Sequence, residues 1–381
     1  MHRWLSVAAT LIACAGASAA DIKFAPNDAI ILNPANDRGM FDLVVHTVGI
    51  ATAPDEKFEF KGLRIAILKN GAPVLIKNVA AARMVEETGG LTRGPESVFL
   101  SGQLLAAKGA EEFFGRRVEP SDSATLGPSR FLITTRHHFS IDFVPDEVRV
   151  TAEGDAAAEA ALPVRRFEPR IAYRLPLDGA WDMHSLPALS SHHRLNPSTE
   201  FAVDFFKTDG EGRNLVGDPL QATSALGYGA PVKAAADGDV VFVIADDVQD
   251  RSAFMPRPGE DKAAAGKRIG AYAMERFAKD FRRAAAGNIV TLKHVANGAV
   301  EYTSYGHLMS GSVHVKAGDR VAQGQIIGAV GDTGDSPVVH LHFQVNAGPD
   351  AFTAKSLPAV FVDLKYPGAS RDPGRFVTNG K

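Results

Sequence analysis

Two histidines alternate in an apolar run, His340-Leu341-His342 within Val338 to Val345. In an extended strand, positions two apart project from the same face, so both imidazoles point one way. This suits a metal site or an acid/base pair, because imidazole ligates zinc and also moves protons near neutral pH. A third histidine ends another strand-like run, Tyr305-Gly306-His307-Leu308. Asp204 sits inside Phe201-Ala202-Val203-Asp204-Phe205-Phe206. A carboxylate in so apolar a strand is costly unless it is paired or bound to a metal. His138-Phe139-Ser140-Ile141-Asp142 offers a second His-to-Asp spacing. Those two residues share a strand face and can simply hydrogen-bond to each other. The chain has no His-Glu-x-x-His stretch, so a helix-borne glutamate base is not expected.

The surrounding motifs come in a fixed order. Gly229-Ala230-Pro231-Val232 leads into an Asp237-Gly238 turn, and Tyr305-Gly306-His307-Leu308 follows. Next come Val315-Lys316-Ala317-Gly318, Gly324-Gln325-Ile326-Ile327-Gly328 and Gly331-Asp332-Thr333-Gly334, before His340-Leu341-His342-Phe343. The glycines fall at turn positions between short apolar pairs. From about residue 190 to 345 this order resembles the LytM/lysostaphin-type peptidases, family M23.

That resemblance implies a zinc endopeptidase. Its zinc ligands map to His193, Asp204 and His342, and its two further catalytic histidines to His307 and His340. Three protein ligands leave one tetrahedral position for water, the layout of a catalytic zinc. Zinc lowers the pKa of its water to around 7 and polarises a carbonyl. One neutral imidazole can then take a proton, and a second can stabilise the oxyanion. The usual family spacing is His-x-x-x-Asp, whereas His193 precedes Asp204 by 11 positions. Ser191-His192-His193-Arg194 must loop back, and His192 is the alternative ligand. Arg194 could bind a substrate carboxylate or face solvent. The implied substrate is a peptide of bacterial peptidoglycan, or another peptide, with a protein regulator as a further partner. The alternative is a non-catalytic M23-like regulator or scaffold at the cell wall. Val315 to Gly328 also resembles a lipoyl-carrier hairpin, but the lysine that would be modified is absent and the histidine pair is left without a role.

The elements that must position these residues read as mainly β. Ala29–Leu32, Phe41–Val48, Phe58–Leu68 and Phe131–Val144 are strand-like, and Lys69-Asn70-Gly71 marks a hairpin. Residues 21–165 are expected to form an all-β N-terminal domain, a β-sandwich of which the immunoglobulin-like arrangement is one form. Asp155 to Ala161 reads as a loop or short helix. Residues 166–381 are expected to form an antiparallel β peptidase domain with its core at about 190–346. Pro231 to Ile244 reads as a strand pair around its turn. A helical insertion is expected over 261–286, where Ile269, Ala273, Phe277 and Phe281 share one face.

Composition adds bounds. The chain has 381 residues, 45% hydrophobic and 22% charged, with a formal net charge of -3. Nothing in that balance calls for nucleic acid. Residues 1–20 read as a signal peptide: His2 and Arg3, an apolar Trp4–Gly16, then small residues Ala17-Ser18-Ala19, with cleavage near Ala19 or Ala20. The apolar stretch falls short of the ~20 residues of a transmembrane helix, and no later segment reaches that length. Periplasmic or secreted localisation follows. The single cysteine, Cys14, lies in this segment, where Leu11-Ile12-Ala13-Cys14 also resembles a lipobox.

Overall fold

The computed structural model describes residues 20–25, 28–32, 40–93, 107–156, 158–184, 192–364 and 375–377. The expected signal peptide up to Ala19, including Cys14, lies outside the described residues.

Two sheets form the N-terminal half. One orders the strands Ala20–Ala25, Phe41–Thr52, Arg130–Ile141 and Glu119–Pro120. The other orders Ile30–Leu32, Ala158–Arg166, Glu147–Gly154, Phe58–Lys69 and Ala72–Ala80. Leu43, Val45, Val48 and Ile50 of the first sheet meet Leu63, Ile65, Ile67, Val148 and Val150 of the second in one core. The two sheets face each other across this core, which makes a sandwich; Glu147–Gly154 buries alternate residues, whereas Phe41–Thr52 is buried almost throughout. The expected hairpin is present, with Asn70 and Gly71 both at positive φ between paired strands. This is the backbone that a two-residue turn of this type requires.

Two features depart from the expectation. Helices Ala81–Arg93 and Ala107–Phe114 interrupt the N-terminal half, so it is not all-β. Among the described side chains each buries a short stripe: Met84 and Thr88 in the first, Ala110 and Phe114 in the second. A stripe of one turn is too short to stand out as a period in the sequence. The Asp155–Ala161 stretch is neither loop nor helix throughout, since Ala158 opens a strand that pairs with Glu147–Gly154.

The C-terminal half is built on a sheet ordered Arg320–Val321, Gly238–Ile244, Asn288–Ala296, Ala299–Leu308, Leu341–Asn346, Val203–Phe206, Ala180–His184 and Arg375–Val377. Ser356–Leu357 pairs on the side of Leu341–Asn346. Pro231–Lys233 pairs with Ile326–Ala329, not with Gly238–Ile244. The expected strand pair around the Asp237-Gly238 turn is therefore split between two sheets. Phe205, Val290, Leu292, Tyr305, Leu341, Phe343 and Val345 form the floor of this half's core. The insertion is three helices, Arg251–Phe254, Lys262–Lys279 and Phe281–Ala286. Asp280 ends the second and caps the third, accepting from the Arg283 N–H. Among the described residues no helix is long and apolar enough to cross a membrane.

Candidate metal centre

Register assembles the site. Asp204 pairs directly with His342, and Gly306 pairs with His342 from the other side. Three adjacent strands thus bring Asp204, His342 and the end of the His307 strand side by side. His340 stands just before its strand, bridged to Gly331. His193 arrives from a short 3-10 turn, His192–Leu195, rather than from the sheet. The turn and the following bend, closed by Thr199 N–H to Asn196 and Ala202 N–H to Thr199 carbonyl bonds, take up the extra residues before Asp204.

His193, Asp204 and His342 each place one ligand atom within 4.8 Å of the others. His193 Nε2 lies 3.5 Å from Asp204 Oδ2, and His342 Nδ1 lies 3.1 Å from Asp204 Oδ1. His340 Nε2 lies 3.5 Å from the same carboxylate. The His307 ring is 4.6 Å from the His340 ring and 5.8 Å from that of His342. Phe206 stacks on His340 at 5.0 Å. All five side chains expected from the sequence are brought together. The side chain of His192 lies outside the described residues.

Hydrogen bonds fix the rings. The Nδ1 of His307 faces the Thr333 carbonyl at 2.8 Å, and that of His340 faces the Val338 carbonyl at 2.8 Å. A carbonyl only accepts, so each Nδ1 carries its proton, and the Nε2 of each ring faces inward, that of His340 towards Asp204. His342 is held the other way round. Its Nε2 faces Gln344 Oε1 at 2.7 Å. The Gln344 amide nitrogen donates to the Ser198 and Ala351 carbonyls and to Asn346 Oδ1, which fixes the oxygen towards His342. His342 therefore donates from Nε2 to Gln344, and its Nδ1 points at Asp204 Oδ1. Gln344 was not singled out in the sequence. Its signal was available, because it stands two positions after His342 and shares its strand face.

Electrostatics follow from burial. Asp204 is only 4% exposed. Burial alone would raise its pKa, but His340, His342 and His193 surround it and hold it well below the usual carboxylate range. Burial, then the neighbouring His340 and His342, push His307 well below an ordinary histidine, so it is neutral. Burial also acts to lower His342, but its bond to Asp204 outweighs this and raises it. His307 has φ +59, a left-handed backbone rare outside glycine. Such a residue costs about 1–3 kcal/mol, and this strain commonly marks active sites.

One alternative left open for a neighbouring residue is settled. Arg194 does not face solvent: it is 0% exposed, over the Phe201 ring at 5.6 Å and 3.4 Å from Glu200. Glu200 in turn lies 2.9 Å from His46 of the N-terminal sandwich. His138 belongs to the same neighbourhood, its pKa lowered by burial and then by Arg194. His138 and Asp142 are not part of the metal-competent group.

A carboxylate and two imidazoles able to hold a metal, beside two imidazoles outside that group, form the kind of site a metal-dependent hydrolase uses. Residues 257–353 match the model of peptidase family M23. The resemblance carried by the motifs is thereby an M23 family match over that stretch, which includes His307, His340 and His342. His193 and Asp204 lie before it. Among curated proteins nothing matches. Among solved structures, the chain is similar to the catalytic domain of lysostaphin from Staphylococcus simulans, at 22% identity over 50% of this chain and 86% of that one, with a TM-score of 0.23. It is similar to the catalytic domain of the M23 protein EnpA from Enterococcus faecalis, at 18% identity over 42% and 74%, TM-score 0.23. It is also similar to Csd3 of Helicobacter pylori, at 13% identity over 83% and 68%, TM-score 0.27.

Proposed function

We propose that this protein is a zinc-dependent endopeptidase that hydrolyses peptide bonds of bacterial peptidoglycan outside the cytoplasm. The observation that carries the reading is the convergence of His193, Asp204 and His342 on one point, with His307 and His340 beside it and outside the group. The donor set fits zinc. Two imidazole nitrogens and one carboxylate oxygen are the borderline ligands zinc prefers, and three of them match a catalytic layout. When bound, zinc would supply a water acidic enough to attack at neutral pH and a Lewis acid for the scissile carbonyl.

The chain's own residues do the rest. Asp204 stays ionised, which suits a cation. Gln344 accepts from His342 Nε2 and so aims Nδ1 at the side shared with Asp204, where a bound metal would replace the proton between them. His307 and His340 each hold a proton on Nδ1 and turn Nε2 inward, that of His340 towards Asp204 at 3.5 Å. One accepts a proton from the attacking water, and the other, once protonated, donates to the developing oxyanion or leaving amine. The family match supports the substrate class, and the signal-like pattern of residues 1–20 supports export.

The test uses purified peptidoglycan with zinc-loaded protein, a chelator control and metal analysis of each variant. Asp204→Ala and His342→Ala are expected to lose bound zinc. His307→Ala and His340→Ala are expected to keep it and lose about 100-fold or more in rate. Zinc retained in full by both ligand variants would refute the assignment. A zinc-loaded wild type that cuts no peptidoglycan would favour the regulator or scaffold instead.

A further inference from the structure

Strands Gly238–Ile244 and Asn288–Ala296 are antiparallel neighbours, with Ile244 opposite Ile289. A turn of a few residues would join them. The chain instead makes the three-helix excursion, and that excursion converges on one turn. Arg251, on its first helix, forms a buried ion pair with Asp332. Arg276, on its long helix, donates from Nη2 to both oxygens of Asp247 at 3.1 and 3.0 Å, and from Nη1 to Gln249 at 3.1 Å. Asp247, itself 6% exposed, accepts from the Gly334 N–H at 3.2 Å, and Gln249 donates to the Gly334 carbonyl at 3.2 Å. Gly287, where the excursion ends, has φ +61 and packs so closely on Thr333 and Gly334 that a Cβ there would lie 2.3 Å from the Thr333 carbonyl carbon. The Thr333 carbonyl accepts the His307 Nδ1 proton, and the Ser336 hydroxyl, a few residues on, bonds the Val338 carbonyl that accepts from His340.

We propose that the helical insertion is a positioning device for the two imidazoles, with Arg276 its principal positioning residue, acting through Asp247 and the Thr333–Ser336 turn. Arg276 touches no reacting atom in this arrangement. Without its guanidinium, the buried Asp247 carboxylate loses its counter-charge and the turn loses its brace. The Thr333 carbonyl then wanders, and His307 no longer keeps one tautomer. A misplacement of about 1 Å in such a group can cost about 100-fold in rate. Only the catalytic readout of this inference rests on the peptidase reading; the imidazole readout does not.

The experiment compares Arg276→Met, Arg276→Lys and Arg283→Met in the full chain. Arg283 belongs to the same insertion, but its partners Asp246 and Asp280 are half or more exposed, so Arg283→Met controls for loss of a charge. In Arg276→Met, zinc per chain and KM for a soluble cross-linked muropeptide are expected within twofold of wild type. Its kcat is expected to fall about 10- to 100-fold. In zinc-free protein, nitrogen–proton correlation spectra of the imidazoles are expected to show His307 passing from one Nδ1–H tautomer to a mixture. Arg276→Lys is expected to be intermediate, and Arg283→Met unchanged. A wild-type His307 spectrum and kcat in Arg276→Met would overturn the proposal. Should Arg276→Met not fold, Arg276→Lys decides on the same readouts. Should the wild type prove inactive, the peptidase reading fails while the His307 spectrum still decides this inference.

Discussion

Gln344 offers the sharpest test of how the metal centre is held. Gln344→Leu keeps the side-chain size and removes both the acceptor for His342 Nε2–H and the donors to the Ser198 and Ala351 carbonyls. A buried N–H left without its acceptor costs about 1–3 kcal/mol. At 1.4 kcal/mol per tenfold, that is a factor of about 5 to 150. Partners behind a ligating histidine typically change metal affinity about 10- to 100-fold. The two ranges agree, so the zinc Kd of Gln344→Leu is expected to rise by about 10- to 100-fold. Gln344→Glu separates the contributions. Its carboxylate still accepts from His342, but it offers nothing to the two carbonyls. Gln344→Glu is therefore expected to recover most of the zinc affinity while remaining less stable than wild type. Competition against a chromophoric chelator at fixed pH measures the first effect, and denaturant unfolding of the zinc-free protein the second. The reasoning is refuted if Gln344→Leu binds zinc within twofold of wild type while Gln344→Glu does not.

Acid sensitivity of the N-terminal sandwich should trace in part to His137, whose pKa is lowered to about 4, first by burial and then by Lys77. The unfolded chain, with a pKa near 6.5, takes up this proton first as pH falls, so stability declines from about pH 6.5 to about pH 4 and levels off below. At 1.36 kcal/mol per unit, the His137 share is at most about 3 kcal/mol. Unfolding of His137→Gln at pH 7 and 4.5 should show a slope reduced by that share, and an unchanged slope would count against it. Gly287→Ala places a methyl group against the Thr333–Gly334 backbone at a positive φ. It should cost at least about 2 kcal/mol and lower the melting temperature by about 4 °C or more. A melting temperature equal to wild type would mean that the contact is not tight.

Many strands of both halves were legible because each buries an alternating or continuous apolar face. Phe58–Lys69, Asn288–Ala296 and Leu341–Asn346 follow that pattern almost residue for residue. Helices Ala81–Arg93 and Ala107–Phe114 were not legible, because a one-turn stripe carries too little period. Pairing was not legible either: Pro231–Lys233 and Gly238–Ile244 are close in sequence yet belong to different sheets.

By itself, the sequence determined which residues could do chemistry. His340 and His342 alternate in an apolar strand, Asp204 is a carboxylate where only a paired or metal-bound one is tolerable, and His307 ends a strand beside a glycine. These are local properties, written in residue type and period. The tertiary structure alone decided what each group does with its proton. Gln344 fixes His342 one way round, and the Thr333 and Val338 carbonyls fix His307 and His340 the other way. Which imidazole nitrogen is left bare depends on an acceptor brought from elsewhere in the chain, and no spacing within a motif contains that information.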